Sequence, residues 1–200
     1  LNGSHVTVEI EIADSRNVSV SHERQLVETA TSEIDLSFAS DYVGENATVT
    51  YNGVILGNGA VNNGKLTVDL TKAGATGELM FEVVSKKGDV HYTFGYNVLL
   101  ATKIIRKAED LDVLKIKTIN ASIYGYYVLG ADIDMQNAKL SQNLSGQPGY
   151  WEGGFGFRGV FDGRNHTISD FTAGANGLFG NIGKGAIIKD VNFANVSCND

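Results

Sequence analysis

One cysteine, one proline and one tryptophan occur in 200 residues. With Cys198 alone, no internal disulfide can form and no multi-cysteine metal site can be built. Nothing in the chain reads as a signal peptide or a membrane-spanning apolar run, so no membrane insertion is expected of this segment. Leu1 opens directly into a strand-like pattern, so the chain reads as an excerpt from a longer precursor. Basic clusters are equally scarce. Beyond the pairs Lys86-Lys87 and Arg106-Lys107 no run of Lys or Arg occurs, and the net charge of -7 leaves no electrostatic footprint for DNA or RNA.

What is present is a globular composition, with 42% hydrophobic and 20% charged residues and 24 glycines. Each half is long enough to bury a core of its own. A glycine-rich, strand-rich chain without disulfides suggests a bacterial protein that is secreted or held at the cell surface. Seven Asn-x-Ser/Thr sequons occur, at Asn2, Asn17, Asn46, Asn120, Asn143, Asn165 and Asn195. Asn at a turn followed by Thr or Ser opening a strand explains them, with glycosylation in a eukaryotic secreted protein as the alternative.

Residues 1–101 alternate with a period of two. Val6, Val8, Ile10 and Ile12 share one face of a strand, as do Ile34, Leu36 and Phe38 of the next segment. Asn52-Gly53 is a hairpin turn signal, and two further strands flank Lys86-Lys87-Gly88-Asp89. In the last of these, Val90, Tyr92, Phe94, Tyr96 and Val98 face one way. About seven short strands at this spacing predict an immunoglobulin-like β-sandwich.

Residues 102–119 change period. Leu111, Leu114 and Thr118 recur at helical spacing, Glu109 and Asp110 lie near the start, and Lys115 and Lys117 lie toward the end, where the dipole favours cations. The pattern predicts a short amphipathic helix capping the first coil of a solenoid. YGYYVLGADIDM (124–135) follows as a strand pair, and 136–156 as a polar, Gly-rich excursion holding Pro148 and Trp151.

Between Phe157 and Asn195 the chain repeats itself. Gly159, Phe161, Ile168 and Asp170 can be laid on Gly177, Phe179, Ile188 and Asp190, an offset of about 18 to 20 residues. Units of this size bury their apolar faces only by stacking, which predicts a parallel β-helix. Two repeats are few for a solenoid, so further C-terminal repeats of the same protein are expected.

The succession AEDL, YYVLGADIDM, FRGVFDGRNHTISDF and GLFGNIGKGAIIKDVNF, over about residues 107–197, resembles bacterial surface proteins with GLUG-type β-helix repeats. It departs from them in reading GYWEGGFGF where "W-x-P-I-G" is usual, and in Asn165 where Gly is usual. The resemblance implies an all-β chain in which an immunoglobulin-like sandwich precedes a capping helix and the N-terminal coils of a right-handed parallel β-helix, residues 102–200.

Several groups could carry chemistry. Asp132 and Asp134 flank Ile133, about 7 Å apart on one strand face. Such a pair could hold Ca²⁺ or work as general acid and base, or could simply face solvent while Ile133 packs inward, or bond the turn backbone. Asp162-Gly163 reads as a turn in which the carboxylate caps local N–H groups and Gly takes a positive φ, and the resemblance implies the same structural role. Sequence spacing places no cation beside these acids, Arg158 and Arg164 being the only candidates. The histidines, His5, His22, His91 and His166, have no zinc-binding spacing, and no G-x-S-x-G elbow or phosphate loop occurs. No cofactor, metal or catalytic residue is therefore assigned.

The ligand-binding candidates are Tyr150, Trp151 and Phe155, rings on a polar loop suited to stacking on sugars. The resemblance implies a competing role for Trp151 as a brace over the coil. The function expected is a non-enzymatic adhesion or display scaffold with a glycan or a host or cell-surface protein as partner. The alternative is the non-catalytic front of a polysaccharide-active or proteolytic extracellular enzyme.

Overall fold

The computed structural model describes residues 5–11, 17–23, 25–38, 45–88, 90–114, 122–140, 156–174 and 177–198. The chain is all-β and divides into two compact units, Leu1–Leu100 and Ala101–Asp200.

The first unit contains β1 (His5–Glu11), β2 (Asn17–Glu23), β3 (Gln25–Glu28), β4 (Glu33–Ser37), β5 (Asn46–Tyr51), β6 (Val54–Ala60), β7 (Lys65–Asp69), a 3-10 turn (Leu70–Lys72), β8 (Gly77–Lys87) and β9 (Val90–Ala101). β1 and β2 pair antiparallel, β4 pairs with β7, and the largest sheet has the order β3-β9-β8-β5-β6. Alternation decides which face is buried. On β8, Leu79, Phe81 and Val83 are buried while Glu78, Met80 and Glu82 are exposed. Those buried residues share one core with Leu36 of β4, Val68 of β7 and Tyr96 and Val98 of β9, so the large sheet and the β4–β7 pair cover each other. Asn52 and Gly53, with φ of 48° and 80°, form the two-residue turn that the hairpin signal predicts, joining Tyr51 to Val54. Asn63-Gly64 repeats the device before β7, with φ of 50° and 73°.

The second unit runs through β10 (Lys103–Ile105), a 3-10 helix (Ala108–Leu114), β11 (Ser122–Ile123), β12 (Tyr126–Leu129), β13 (Ile133–Lys139), β14 (Gly156–Phe157), β15 (Val160–Asp162), β16 (Thr167–Ala173), β17 (Ile187–Lys189) and β18 (Asn192–Cys198). All of its ladders are parallel among the described residues. β10-β12-β15-β17 make one, β13-β16-β18 a second, and β11-β14 a third that the bridge Phe157–Ile182 extends. The chain therefore visits three ladders in turn, in three successive circuits.

Two expectations are corrected here. The helix predicted across 102–119 is a strand over Lys103–Ile105 followed by a 3-10 helix over Ala108–Leu114, and 115–119 lie outside the described residues. Ile104 and Ile105 are β-branched and pair beside Val128 and Leu129, so tertiary pairing overrides the helical spacing. The 3-10 geometry repeats every third residue and so places Leu111 and Leu114 on one side. Both are buried in the same core as Ile105, Leu129 and Ile133.

The offset read from the sequence is likewise not the structural period. Val160 lies beside Ile187 and Thr167 beside Asn192, so the last circuit extends well beyond it. The preceding circuit, from Tyr126 to Val160, is longer still. Phe161 stacks beside Ile188 and Ile168 beside Phe193. Phe179 belongs to a turn rather than a strand, and its ring turns inward to sit 5.1 Å from that of Phe161 and 5.8 Å from that of Phe157. The motifs GVFDG and GLFGN share their spelling because both deliver a Phe to the interior, from different positions on the circuit. Burying each ring contributes about 2–3 kcal/mol.

Candidate functional site

The charged and polar side chains of the second unit meet along its ladders. Asp162, on β15, is buried, and its neighbours come from three circuits. Its Oδ2 accepts the Tyr126 hydroxyl at 2.9 Å and lies 3.1 Å from Lys189 Nζ, while Oδ1 accepts the Arg164 backbone N–H at 3.0 Å. The register explains the meeting. Val128, Asp162 and Lys189 stand side by side on β12, β15 and β17, with Tyr126 two positions before Val128 on the same face.

The protonation states follow from this packing. Burial raises the Tyr126 pKa, and the Asp162 carboxylate beside the hydroxyl raises it further. Burial by itself would lower Lys189, but the hydrogen bond and charge of Asp162, together with Tyr126, outweigh it and hold the ammonium above the ordinary lysine value. A nucleophilic lysine or a tyrosinate base needs the opposite shift. The trio is instead a tyrosine hydroxyl, a carboxylate acceptor and an ammonium cross-linking three circuits.

Asp162 caps a local N–H as expected, but the role predicted for Gly163 is corrected. Arg164 and Asn165 take the positive φ, at 48° and 64°, and Gly163 does not. Gly163 is required because a Cβ there would lie 2.4 Å from the Asp190 carbonyl oxygen on the next circuit. Neither Arg158 nor Arg164 supplies the cation for Asp162. Lys189, a full circuit further along the chain, does so. The signal that finds it is the alignment of Val160–Asp162 on Ile187–Lys189, which the shorter offset concealed.

Asp132 and Asp134 are exposed, with Ile133 and Met135 buried between and beyond them, so the pair faces solvent. The two carboxylates do not converge on one ligand. Asp134 accepts the Gln136 N–H at 2.7 Å, whereas Asp132 accepts Thr167 N–H at 2.9 Å and touches His166 Nδ1 at 3.1 Å. The Thr167 bond, and then His166, hold the Asp132 carboxyl below its ordinary pKa. One circuit on, the Asn195 amide donates to Asp170 Oδ1 at 3.0 Å. Asn195 and Asp170 have positive φ, 52° and 58°, as do Gln136 and Asn137 in β13, so the ladder of three strands bends at one level. The Ser169 hydroxyl, and then Asn195, keep Asp170 acidic.

Tyr150, Trp151 and Phe155 lie outside the described residues. Among the described residues no group of three or more His, Cys, Asp or Glu side chains could hold a metal ion, and Cys198 is exposed. The Arg158 Nε is buried without a hydrogen-bond partner. No helix among the described residues is long and apolar enough to cross a membrane. No protein-family model, no curated protein and no solved structure matches this chain.

Proposed function

We propose that the first unit is an immunoglobulin-like sandwich, that the second forms the opening coils of a right-handed parallel β-helix, and that together they are a display or adhesion module. The chain would serve a bacterial protein, secreted or held at the cell surface and related to those with GLUG-type repeats, and would carry no catalysis of its own. The observation behind this reading is the fate of the polar side chains. Tyr126, Asp162, Lys189, Asp132, His166, Asp170 and Asn195 all make bonds between successive circuits. Acids used this way tie each circuit to the next and so stiffen the stack.

The ligand proposed for such a module is a glycan, with Tyr150, Trp151 and Phe155 stacking on its rings. Native affinity electrophoresis of the wild type and of Trp151→Ala across host and plant polysaccharides tests this. Retardation of the wild type that the variant loses is the expected result. Equal mobility of both proteins on every polymer would remove the glycan role. Release of new sugar ends from any polymer, abolished by Asp134→Asn, would overturn the non-enzymatic reading itself.

A further inference from the structure

The side chains of Asp162, Asp132 and Asp170 all find partners on a neighbouring circuit, but that of Arg158 does not. Its Nε is buried without a hydrogen-bond partner, and no acid among the described residues pairs with the guanidinium. Arg158 stands at the corner between β14 and β15, where its backbone N–H donates to the Ile123 carbonyl at 2.8 Å. Ile123 and Phe157 face the core, so alternation turns Tyr124 and Arg158 outward on neighbouring circuits, roughly 4.8 Å apart along the stack. Tyr124 is 62% exposed. One circuit further on, the corner is shaped around the arginine. A Cβ on Gly183 would lie 2.7 Å from Arg158 Cγ and 2.8 Å from its Nε, so the stem rests on bare backbone. Four residues, Gly183–Ala186, span the corner that Arg158 and Gly159 span with two. The extra length forms a turn, closed by the Ala186 N–H on the Gly183 carbonyl at 3.2 Å, that carries the exposed Lys184.

The charge around this corner has one sign. Residues 122–130, 156–161 and 177–189 hold no Asp or Glu, in a chain whose net charge is -7. The column also runs along the side of the stack, so coils following β18 would lengthen it and not cover it. A guanidinium held by its buried stem beside an ammonium is matched by an oxyanion, and an exposed ring beside both is matched by the face of a sugar. We propose that this corner binds an acidic polysaccharide, with Arg158 and Lys184 on a carboxylate or sulfate group and the Tyr124 ring on an adjoining sugar. The ligand class rests on the glycan reading given above, whereas the site is a separate one that uses none of Tyr150, Trp151 and Phe155.

Affinity electrophoresis of the full chain in gels holding polygalacturonate, dextran sulfate or uncharged dextran tests it. The wild type should be retarded by a charged polymer and not by dextran, and added salt should weaken the retardation. Retardation by only one of the charged polymers identifies the anion as carboxylate or as sulfate. Arg158→Gln should weaken binding about tenfold or more. Lys184→Gln, on an exposed turn where folding does not depend on it, should weaken it several-fold, and Tyr124→Ala likewise. Lys86→Gln makes the same change of net charge at an exposed site of the first unit and should bind as the wild type does. No retardation by either charged polymer would overturn the proposal, and so would retardation that Arg158→Gln and Lys184→Gln both leave intact. Inorganic sulfate that raises the melting temperature while neither polymer retards the chain would reduce the corner to a free-anion site. Binding lost in Trp151→Ala but kept in Arg158→Gln would preserve the glycan reading and remove this site. The reverse pattern would keep this site and remove the loop.

Discussion

Asp162→Ala removes the acceptor at the centre of the three-circuit clamp, and the structure indicates where the cost arises. The Tyr126 hydroxyl, 2.9 Å from Asp162 Oδ2, sits on a buried side chain. Losing its acceptor costs about 1–3 kcal/mol. The Lys189 side chain is 38% exposed, so water takes over its ammonium. The lost pair adds less than about 1 kcal/mol. The Arg164 N–H belongs to an exposed residue and finds solvent. The expected loss is about 3 kcal/mol, or roughly 15 °C in the melting of a unit this size. Tyr126→Phe should cost about 1 kcal/mol, since Asp162 keeps Lys189 and the Arg164 N–H. The double variant should be milder than the sum, because no hydroxyl is then stranded. Urea titration of the four proteins, followed by circular dichroism, gives the cycle. Additive costs, or an Asp162→Ala loss below about 0.5 kcal/mol, would show that the three side chains merely lie near one another.

Tyr126 and Lys189 both have folded-state pKa values above their ordinary ones. The stability they contribute is therefore complete below about pH 10 and is lost as pH rises through the raised values. Melting should fall on alkaline titration, and Lys189→Met should flatten that fall. At the acid end the signs reverse. Asp132 and Asp170 are depressed, so their contribution is present above about pH 4 and disappears as pH drops through the lowered values. Asp132→Asn should accordingly make the melting temperature less sensitive to acid, and an unchanged slope would refute that assignment. A Cβ on Gly163 would meet the Asp190 backbone at 2.4 Å. Gly163→Ala should thus cost about 2–3 kcal/mol in urea titration. Gly185 has a φ of 88° with open space around it. Gly185→Ala should cost only about 1 kcal/mol, so equal losses would contradict the packing argument.

The strands were legible where one face is wet and the other dry. Ile34 and Leu36 on β4, or Ile133 and Met135 against the exposed Asp132 and Asp134, carry the period-two signal because a single register satisfies both faces. The Asn52-Gly53 turn was legible for a different reason, since a two-residue hairpin needs positive φ at both positions and those residues adopt it readily. The 3-10 helix was only half legible. Leu111 and Leu114 fit an α-helical stripe as well as a three-residue turn, and only the pairing of Lys103–Ile105 with β12 separates the two.

What the sequence concealed was register between circuits, and the clamp depends on register alone. Asp162 meets Lys189 because the last circuit runs from Val160 to Ile187, yet the local spelling around Phe161 and Phe179 suggests a much shorter step. Spelling repeats wherever an inward Phe follows a glycine, whether on a strand or in a turn, so similarity over so short a stretch does not measure a circuit. Backbone pairing measures it, and so do the residues forced into positive φ. Asp170 and Asn195 occupy the same bend on neighbouring strands, and the step between them is the one that carries Ile168 to Phe193. In a left-handed bend only Gly, Asn and Asp are readily tolerated, so such a column is set by sterics rather than by a loosely interchangeable apolar pattern. A parallel stack of this kind is therefore better aligned on its bends than on its phenylalanines, and on the β15–β17 ladder a step two residues longer than that of the bends brings Lys189 beside Asp162.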